Sequence, residues 1–399
     1  MICTSRVLSQ SWAGGDRRDS PETWRCRRQD ASYTGQAVPA GKVADRVRAD
    51  IIRLTGTGLD SRSMRSQVTE RLRRVVPVDA VFFATCDPST FLFTDVVADD
   101  LLVRLTPLFL RNEFLQADVN QFRDIASGPA PVVTLDHATG GRRWESARYR
   151  DILQPAGLGD EMRVALRSGD MCWGFMCLHR EDGTGFSAGD VAFMGRLART
   201  IAEGLRAALL TARLTKPETH QPGVLLISDS LELDAATSAG HALLDELTGP
   251  TANGRLPLSV QTVAARLFAR DQGQDGPPPT IRALSRANRW LVIHATHLVE
   301  KDGTDKTAVI IEPARPDEFI PLMLRAHRLG PREADVAALV LSGKSTKEIS
   351  RQLRVSENSV QDHLKTVFEK VGVHSRRELT AYLQGYARTS AYREDVSKA

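Results

Sequence analysis

Cysteine is scarce in this 399-residue chain, and its few copies follow no pattern typical of a disulfide framework or a zinc site. The number of cysteines is odd, none forms a CxxC pair, and they are scattered, at Cys3, Cys26, Cys86, Cys172 and Cys177. A disulfide-stabilised secreted domain and a zinc ribbon are both disfavoured by this usage. Reduced thiols in a cytoplasm are the expected state.

Long apolar runs and a strong charge imbalance are also missing. No stretch approaches the length of a membrane span, and the N-terminus lacks the apolar centre of a signal peptide. The net charge of +4 permits nucleic-acid binding without requiring it. We therefore expect a soluble cytoplasmic protein with no membrane partner, divided by its length into two or three domains.

Signatures of catalysis are absent as well. There is no GxSxG elbow, no HExxH and no dense acidic cluster. The run Gly343-Lys344-Ser345 resembles the end of a P-loop, but Ala338 replaces the required first glycine and no strand precedes it. We expect no enzyme activity, catalytic residue, metal or cofactor. An unrecognised activity in the N-terminal part is the alternative.

Near its C-terminus the chain contains a helical stretch in which capping residues clearly mark where helices start and end. Pro331 is suited to a first helical position, and Gly343 to the residue that ends the same helix. Capping boxes at Ser345–Glu348 and Ser375–Glu378 predict two further helix starts. Between them, an apolar face repeats at helical spacing, at Val360, Leu364, Val367 and Val371. This pattern predicts a helix-turn-helix.

The motifs of this stretch resemble the LuxR/FixJ-type DNA-binding domain. They are LGPRE at 329–333, GKSTKEI at 343–349, VSENSV at 355–360, His363, KVGV at 370–373 and Ser375-Arg376. Two positions depart from the family, which usually has threonine where Gly330 stands and a basic residue where Gln361 stands. The resemblance implies a four-helix DNA-binding domain over residues 326–390.

The resemblance and the helix geometry together identify candidate DNA contacts. The base-reading residues would be Gln361, Asp362 and Lys365, whose side chains can pair with adenine, cytosine and guanine respectively. Backbone phosphates would be held by residues at helix starts and turns: Thr346, Lys347, Ser356, Asn358, Ser359 and Arg376. The alternative is an adaptor whose helical domain contacts protein through the same polar faces.

Residues 1–40 are rich in Arg, Ser, Asp and Gly without apolar periodicity, which predicts a disordered leader. From residue 41, two amphipathic helices precede a strand at Val81–Thr85 and a hairpin of Met162–Leu166 with Met171–His179. This order, followed by Phe186-Ser187 and a long helix, resembles a GAF domain, implying a six-stranded antiparallel sheet that senses a small ligand. We assign residues 41–215 to it.

Two candidate sites lie in this region. Cys177 and His179 are predicted to share a strand face with Trp173 and Phe175, with Cys172 on the opposite face. They could serve a metal or thiol sensor, although a packed core cysteine is the favoured interpretation. The aromatic residues Trp144, Tyr149 and Trp173 could line a ligand pocket or fill the core.

The helix from Asp190 to Leu214 carries apolar residues at heptad spacing over about three repeats. We predict a dimer seam on this face, centred on Ile201 and Leu205, unless the helix packs on its own sheet. The fourth C-terminal helix offers a smaller self-contact at Leu379 and Tyr382, as the LuxR resemblance implies.

Between the two main regions, Lys216–Pro222 is read as a linker, and residues 223–314 resemble a reduced PAS-like module. Its expected helices are Ala235–Leu247 and Leu258–Ala269, and its expected strands include Trp290–Thr296 and Thr307–Ile311. Pro313, Pro316 and Pro321 predict a semi-rigid hinge before the helix-turn-helix.

The predicted architecture is a multidomain α+β protein with a GAF-like α/β sandwich, a small PAS-like α+β module and a C-terminal all-α helix-turn-helix domain. The expected function is that of a one-component transcription regulator. Double-stranded DNA, a small-molecule effector of unknown identity, RNA polymerase and a second copy of the chain are the candidate partners.

Overall fold

The computed structural model describes residues 41–181, 183–211, 221–248, 255–299 and 305–383. The predicted leader at 1–40, most of the predicted linker and residues 384–390 of the DNA-binding region lie outside these ranges.

The first domain is built on a five-stranded antiparallel sheet in the order β2-β1-β5-β4-β3, one strand fewer than the resemblance implied. Its strands are β1 (Ala80–Cys86), β2 (Phe93–Ala98), β3 (Val132–Thr134), β4 (Leu158–Ser168) and β5 (Met171–Glu181). Its helices are α1 (Lys42–Thr55), α2 (Ser61–Leu72), α3 (Asp100–Leu115), α4 (Phe122–Ser127), α5 (Leu135–Thr139) and α6 (Ala188–Thr211). The predicted strand at Val81–Thr85 and the predicted hairpin are therefore confirmed, and the hairpin extends beyond its expected ends.

Helices α1, α2 and α6 cover one face of this sheet. The side chains of Met194, Ile201 and Leu205 on α6 are buried in one core with Met162 and Leu178 of the hairpin. The heptad-like spacing of α6 therefore marks the face that packs on its own sheet, which was the alternative to a coiled coil.

A bulge in the hairpin corrects the predicted strand faces. Leu166 pairs with Gly174 and Arg167 with Cys172, so Trp173 is the extra residue. As a result Cys172 lies in the same core as Cys177, whereas Trp173 lies on the α6 side of the sheet. Only glycine fits at position 174, because a Cβ there would lie 2.4 Å from the carbonyl oxygen of Ala84.

The middle region contains a second five-stranded antiparallel sheet, in the order β7-β6-β10-β9-β8. Its elements are β6 (Gly223–Ile227), β7 (Leu233–Ala236), α7 (Ser238–Thr248), α8 (Leu258–Asp271), β8 (Thr280–Leu284), β9 (Trp290–Val299) and β10 (Asp305–Pro313). The predicted start of a helix at Ala235 is wrong, because that residue belongs to β7 and pairs with Leu226. The PAS-like assignment stays a prediction.

Helix α8 is enclosed by the two sheets. All its residues from Leu258 to Leu267 are buried, which a helix with one solvent face would not show. It contacts α3 and β2 of the first domain as well as β9 and β10 of its own sheet. A single apolar core therefore runs from Phe175 of β5 to Ile293 of β9.

The predicted hinge before the DNA-binding region is wrong. Residues Pro316–Ala326 form helix α9, because Pro316 occupies a first-turn position where proline costs no hydrogen bond. The helix buries an apolar face against α6 and α10, and the ring of Phe319 stacks on Trp290 at 5.7 Å. This segment is packed between domains.

Within residues 327–383, four helices follow, as predicted: α10 (Pro331–Leu341), α11 (Thr346–Leu353), α12 (Glu357–Val371) and α13 (Arg376–Leu383). Gly343 adopts φ 80° after α10, in keeping with its predicted role as the end of that helix. Their core is formed by residues that include Val336, Ile349, Val360 and Leu364.

Candidate nucleic-acid interface and sensor cavity

Serine caps mark the starts of α11 and α12, and a residue in the left-handed conformation turns the chain between them. Ser345 caps α11, because its Oγ accepts from the amide of Glu348 at 3.3 Å and the Glu348 carboxylate accepts from the Ser345 amide at 2.8 Å. Arg354 turns the chain with φ 55°, and Ser356 then caps α12 by accepting from the amide of Ser359 at 3.0 Å. The connection between α11 and α12 is therefore short, and it ends in the hydrogen-bonded cap of α12.

Helix α12 presents one apolar and one polar face. Val360, Leu364, Val367 and Val371 are buried, as predicted. Gln361, Asp362 and Lys365 are exposed on the opposite side. Such a helix can place an amide, a carboxylate and an ammonium against base edges while its apolar side holds it to the domain.

Thr346 links two of the predicted contact residues. Its Oγ accepts from Gln361 Nε2 at 3.3 Å and from Arg376 Nη2 at 2.7 Å. Arg376 also donates to the carbonyl of Lys344 at 2.9 Å, so its guanidinium is fixed beside the start of α11. The structure therefore brings Thr346, Gln361 and Arg376 together, where a positive charge and a helix N-terminus both favour a phosphate.

The other predicted backbone contacts lie close by. Lys347 and Asn358 are exposed, and the hydroxyls of Ser356 and Ser359 lie 2.8 Å apart at the start of α12. Two basic residues that the sequence analysis did not select, Lys344 and Arg377, line a surface groove with Arg376. The sequence offered one signal for both residues, a positive charge close to a predicted phosphate contact.

Gly330 has no hydroxyl to cap α10, but its amide keeps the other half of a capping box. The amide of Gly330 donates to Glu333 Oε2 at 2.7 Å, and Lys370 Nζ donates to the same oxygen at 2.6 Å. Burial raises the pKa of Glu333, but these two bonds and the charge of Lys370 outweigh it and lower that pKa.

The predicted dimer residues are placed differently from expectation. Ile201 is 0% and Leu205 is 4% exposed, because both pack on the sheet of their own domain. The seam expected at these two residues is therefore wrong for this fold, since a second copy cannot reach them. Leu379 is buried too, and Tyr382 is half-buried with its hydroxyl 3.1 Å from His327 Nε2.

A small cavity of about 30 Å³ lies on the opposite face of the first sheet from α6. Its walls come from β1, β2, α3, α4, β4, β5 and α8: Phe82, Phe93, Leu102, Thr106, Phe109, Leu110, Glu113, Phe122, Arg163, Cys177, His179 and Leu258. The aromatic residues expected to line a pocket do not line this one. Trp144 is 60% exposed, Tyr149 is buried elsewhere, and Trp173 lies across the sheet.

A buried ionic network supports the floor of this cavity. Glu161 Oε2 accepts from Arg148 Nε at 2.8 Å and from Arg163 Nε at 3.0 Å. Burial raises the pKa of Glu161, but the two guanidinium charges outweigh it and lower that pKa to about 2. Arg163 also donates to Glu113 at 2.8 Å, where burial prevails and raises the pKa of the carboxyl.

Two neutral side chains complete the floor. Burial lowers the pKa of His179 to about 4 and raises the pKa of the Cys177 thiol. One donor atom from each of Glu161, Cys177 and His179 lies within 4.8 Å of the other two. Among the described residues, neither ring nitrogen of His179 nor Oε1 of Glu161 has a hydrogen-bond partner. Sequence reasoning considered Cys177 and His179 together but missed Glu161, which lies on the neighbouring strand.

Comparisons with known proteins identify both regions. The family described as "Bacterial regulatory proteins, luxR family" matches residues 327–383, and the GAF domain family matches residues 64–205. The chain carries a LuxR-family DNA-binding domain and a GAF domain. The predicted GAF and LuxR-type assignments and the predicted helix-turn-helix are thereby confirmed.

Among solved structures, similarity is found to the VqsR LBD domain from Pseudomonas aeruginosa, with 14% identity, a TM-score of 0.30, and coverage of 42% of this chain and 98% of that one. Escherichia coli SdiA gives 12% identity, a TM-score of 0.31, and coverage of 86% and 98%. A Vibrio cholera VqmA–ligand–DNA complex gives 16% identity and a TM-score of 0.22, with coverage of 42% of this chain and 83% of that one.

The GAF domain is joined to the LuxR-family domain by polar contacts of α6. Glu203 accepts from Ser168 Oγ at 2.5 Å and from Arg206 Nε at 2.9 Å, and it pairs with Arg328 just before α10. Although burial raises the pKa of Glu203, these donors lower it to about 2. Arg206 also donates to the carbonyl of Ala326 at 2.6 Å, which ties the end of α9 to the GAF domain.

In the part of the chain that the structure describes, no helix has the length and apolar character needed to span a membrane.

Proposed function

We propose that this protein is a one-component transcription regulator that binds a two-fold DNA site as a homodimer and whose DNA affinity changes when a small molecule binds its GAF domain. The LuxR-family domain supplies DNA binding. The observation that carries the proposal is the two-faced α12, with Val360 and Leu364 buried and Gln361 and Lys365 exposed. RNA polymerase is the further partner of such a regulator at a promoter.

The proposed DNA contacts divide into two groups. Gln361, Asp362 and Lys365 read base edges in the major groove, since an exposed polar triad on one helix can reach successive bases. Thr346, Lys347, Ser356, Asn358, Ser359 and Arg376 hold the phosphate backbone and set the register of the helix. The bonds that join Thr346 to Gln361 and Arg376 support this arrangement, because they orient both groups before DNA arrives.

Dimeric binding is proposed on energetic grounds. One helix-turn-helix makes few base contacts, and a single module binds too weakly for useful selection at cellular salt. Two copies on half-sites about 10 bp apart gain from effective concentration once the first copy is bound.

The effector is proposed to bind at the cavity between the GAF sheet, α3 and α8. At about 30 Å³ the space holds roughly a water or two, so an organic molecule must displace a wall. Leu258 is the lining residue that α8 contributes, and α8 belongs to the middle region. Movement of α8 would therefore transmit the effect of a bound effector to the middle sheet and, through α9, to the LuxR-family domain.

We propose residues 41–215, 223–314 (PAS-like) and 326–390 as the three modules.

A DNA selection experiment tests the proposal. Full-length protein is used to enrich a random duplex pool over several rounds, with the Lys365→Ala variant and the remote surface variant Lys42→Ala in parallel. The expected result is a two-fold-symmetric motif with half-sites about 10 bp apart, recovered by the parent and by Lys42→Ala. Enrichment of no sequence, or of the same motif by Lys365→Ala with undiminished affinity, would contradict the proposal.

A further inference from the structure

A carboxylate, a thiol and an imidazole lie close together beside the GAF cavity, and two of the three residues, Cys177 and His179, line it. Glu161 of β4 pairs directly with His179 of β5, and Cys177 precedes His179 by two residues on the same strand face. One donor atom from each side chain lies within 4.8 Å of the other two, and all three residues are buried. Strand pairing alone fixes this juxtaposition, so it does not depend on a loop.

Two members of this trio, Glu161 and His179, carry buried polar atoms without a hydrogen-bond partner among the described residues. Glu161 uses Oε2 for both arginines, which leaves Oε1 without a hydrogen bond in the described part of the chain. His179 is 1% exposed, and both its nitrogens lack partners there. Orphan polar atoms at such depth are rare in native proteins, and a bound ion or water is a common explanation.

The surrounding charges favour a cation. Two buried guanidinium groups, of Arg148 and Arg163, face three buried carboxylates, of Glu113, Asp118 and Glu161. A divalent ion bound with one thiolate adds one net positive charge to this group, and the buried carboxylates beside the site can balance that charge.

We propose that Glu161, Cys177 and His179 form a binding site for a divalent first-row transition-metal ion of the zinc class, with its fourth position facing the cavity. Thiolate, imidazole and carboxylate are the ligands that such ions take, and three protein ligands with one open position is a common arrangement. Tetrahedral binding needs ligand atoms about 3.3–3.8 Å apart, so side-chain rotations must close the trio by up to roughly 1 Å.

Binding exchanges a proton for the metal. The Sγ–H bond of Cys177 breaks, its proton leaves for solvent, and Sγ bonds to the ion; His179 binds in the neutral form and Glu161 through Oε1. The cavity volume of about 30 Å³ accommodates an ion with a water but not an organic molecule of several heavy atoms. An ion can therefore bind without displacement of Leu258, once the three side chains have rotated toward it.

The inference does not rest on the proposed response to an effector. If the chain binds Zn²⁺ in this cluster and its DNA affinity does not change, the metal site is supported and the effector response is not. If an organic molecule changes the DNA affinity and no metal binds, the effector response is supported and the metal site is not.

The test is metal binding by the purified full-length chain. Metal-free protein is titrated with Zn²⁺, passed through gel filtration and assayed for retained metal. Co²⁺ serves as a spectroscopic probe, since a thiolate ligand gives a charge-transfer band. The variants are Cys177→Ala and His179→Gln. Cys172→Ala is the matched control, because Cys172 is 2% exposed in the same core but lies outside the trio.

The parent and Cys172→Ala should retain about one ion per chain, and both should show the charge-transfer band with Co²⁺. Cys177→Ala should lose the band, and both site variants should bind Zn²⁺ at least tenfold more weakly, with circular dichroism confirming their fold. Cys177→Ser, which nearly keeps the volume of the thiol, is measured beside Cys177→Ala and should lose the band in the same way. A parent that retains no metal, a band that persists in Cys177→Ala, or a cavity occupied only by water or an organic molecule would overturn the proposal.

Discussion

Asp87, just after β1, and Arg282 in β8 form a two-point ion pair across 195 residues of sequence, with Nη2–Oδ1 at 2.6 Å and Nε–Oδ2 at 2.9 Å. The Asp87 side chain is 1% exposed. Arg282 Nη1 also donates to the carbonyl of Glu318 in α9 at 3.2 Å. One arginine thus contacts the GAF domain, the middle sheet and the helix that leads to the LuxR-family domain.

Removal of this arginine should loosen the junction of the three regions. Arg282→Ala leaves Asp87 as a buried carboxylate without its counter-charge, a loss that typically destabilises by about 3–5 kcal/mol. We expect a lower thermal midpoint and faster proteolytic cleavage between the middle region and α9. Arg74→Ala is the control, because its partner Glu70 is exposed and such a pair contributes only about 0–1 kcal/mol. Equal melting of the two variants would show that the Asp87–Arg282 pair has no special weight.

Substitutions on α12 should separate affinity from base choice. Lys365→Ala should weaken binding to the selected DNA site, and Gln361→Ala should relax preference at one position per half-site by about 1–3 kcal/mol. The measurement is a titration against the selected site and its single-base variants at fixed salt. If both variants select bases as the parent does, a different face of α12 enters the groove.

The local patterns of the sequence predicted the helices of the DNA-binding domain well. Capping residues such as Ser345 and the spacing of Val360 and Leu364 act within a few residues, so their consequences could be read directly. The hairpin was predictable for the same reason, except at Trp173, where a bulge reverses the alternation.

Relations between distant segments could not be predicted. The apolar spacing of α6 is the same for a coiled coil and for a helix on its own sheet, and only the presence of Met162 and Leu178 beneath it decides. The prolines before α10 suggested a hinge, but the burial of Phe319 against Trp290 turns that segment into a packed helix. Glu161 joined Cys177 and His179 through strand pairing, which no local pattern reveals.

The burial of Ile201 gives a clear mutational expectation. Ile201→Glu places an unpaired carboxylate in the GAF core, which should destabilise that domain by about 4 kcal/mol or more. Chemical denaturation followed by circular dichroism measures it. Arg199→Glu on the same helix is the control, since Arg199 is exposed and should change stability little. An Ile201→Glu protein that keeps its stability but becomes monomeric would restore this face as a dimer seam.

Acid should weaken the contact between α9 and α13. Burial and the charge of Arg206 lower the pKa of His327 below its usual 6.5, against the opposing effect of the Lys370 carbonyl. The unfolded chain therefore takes up a proton first as the pH falls, so this stability is present above about pH 6.5 and is lost as the pH drops through the folded pKa.

The thermal midpoint of the full chain, measured between about pH 5 and 7.5, checks this linkage. His327→Gln should flatten the decline on the acid side, because it removes the titrating group beside Tyr382. His374→Gln, at an exposed position, should leave the profile of the parent unchanged. Superimposable profiles for the parent and His327→Gln would place the acid sensitivity elsewhere.

The last expectation concerns the fragment 325–399. Helices α10–α13 pack on one another through residues such as Val336, Val360 and Leu364, so the helix-turn-helix should fold. Helix α13 offers little surface for pairing, because Leu379 is buried and Tyr382 contacts His327. We expect a monomer by light scattering. Without a linked second copy it loses the gain from effective concentration, and its affinity for a two-fold site should fall at least about a hundredfold below that of the full chain. The full chain and a full-length Lys42→Ala variant serve as references in the same titration. A fragment that dimerises and binds as the full chain does would locate the main self-contact on α13 and leave the GAF domain without a role in pairing.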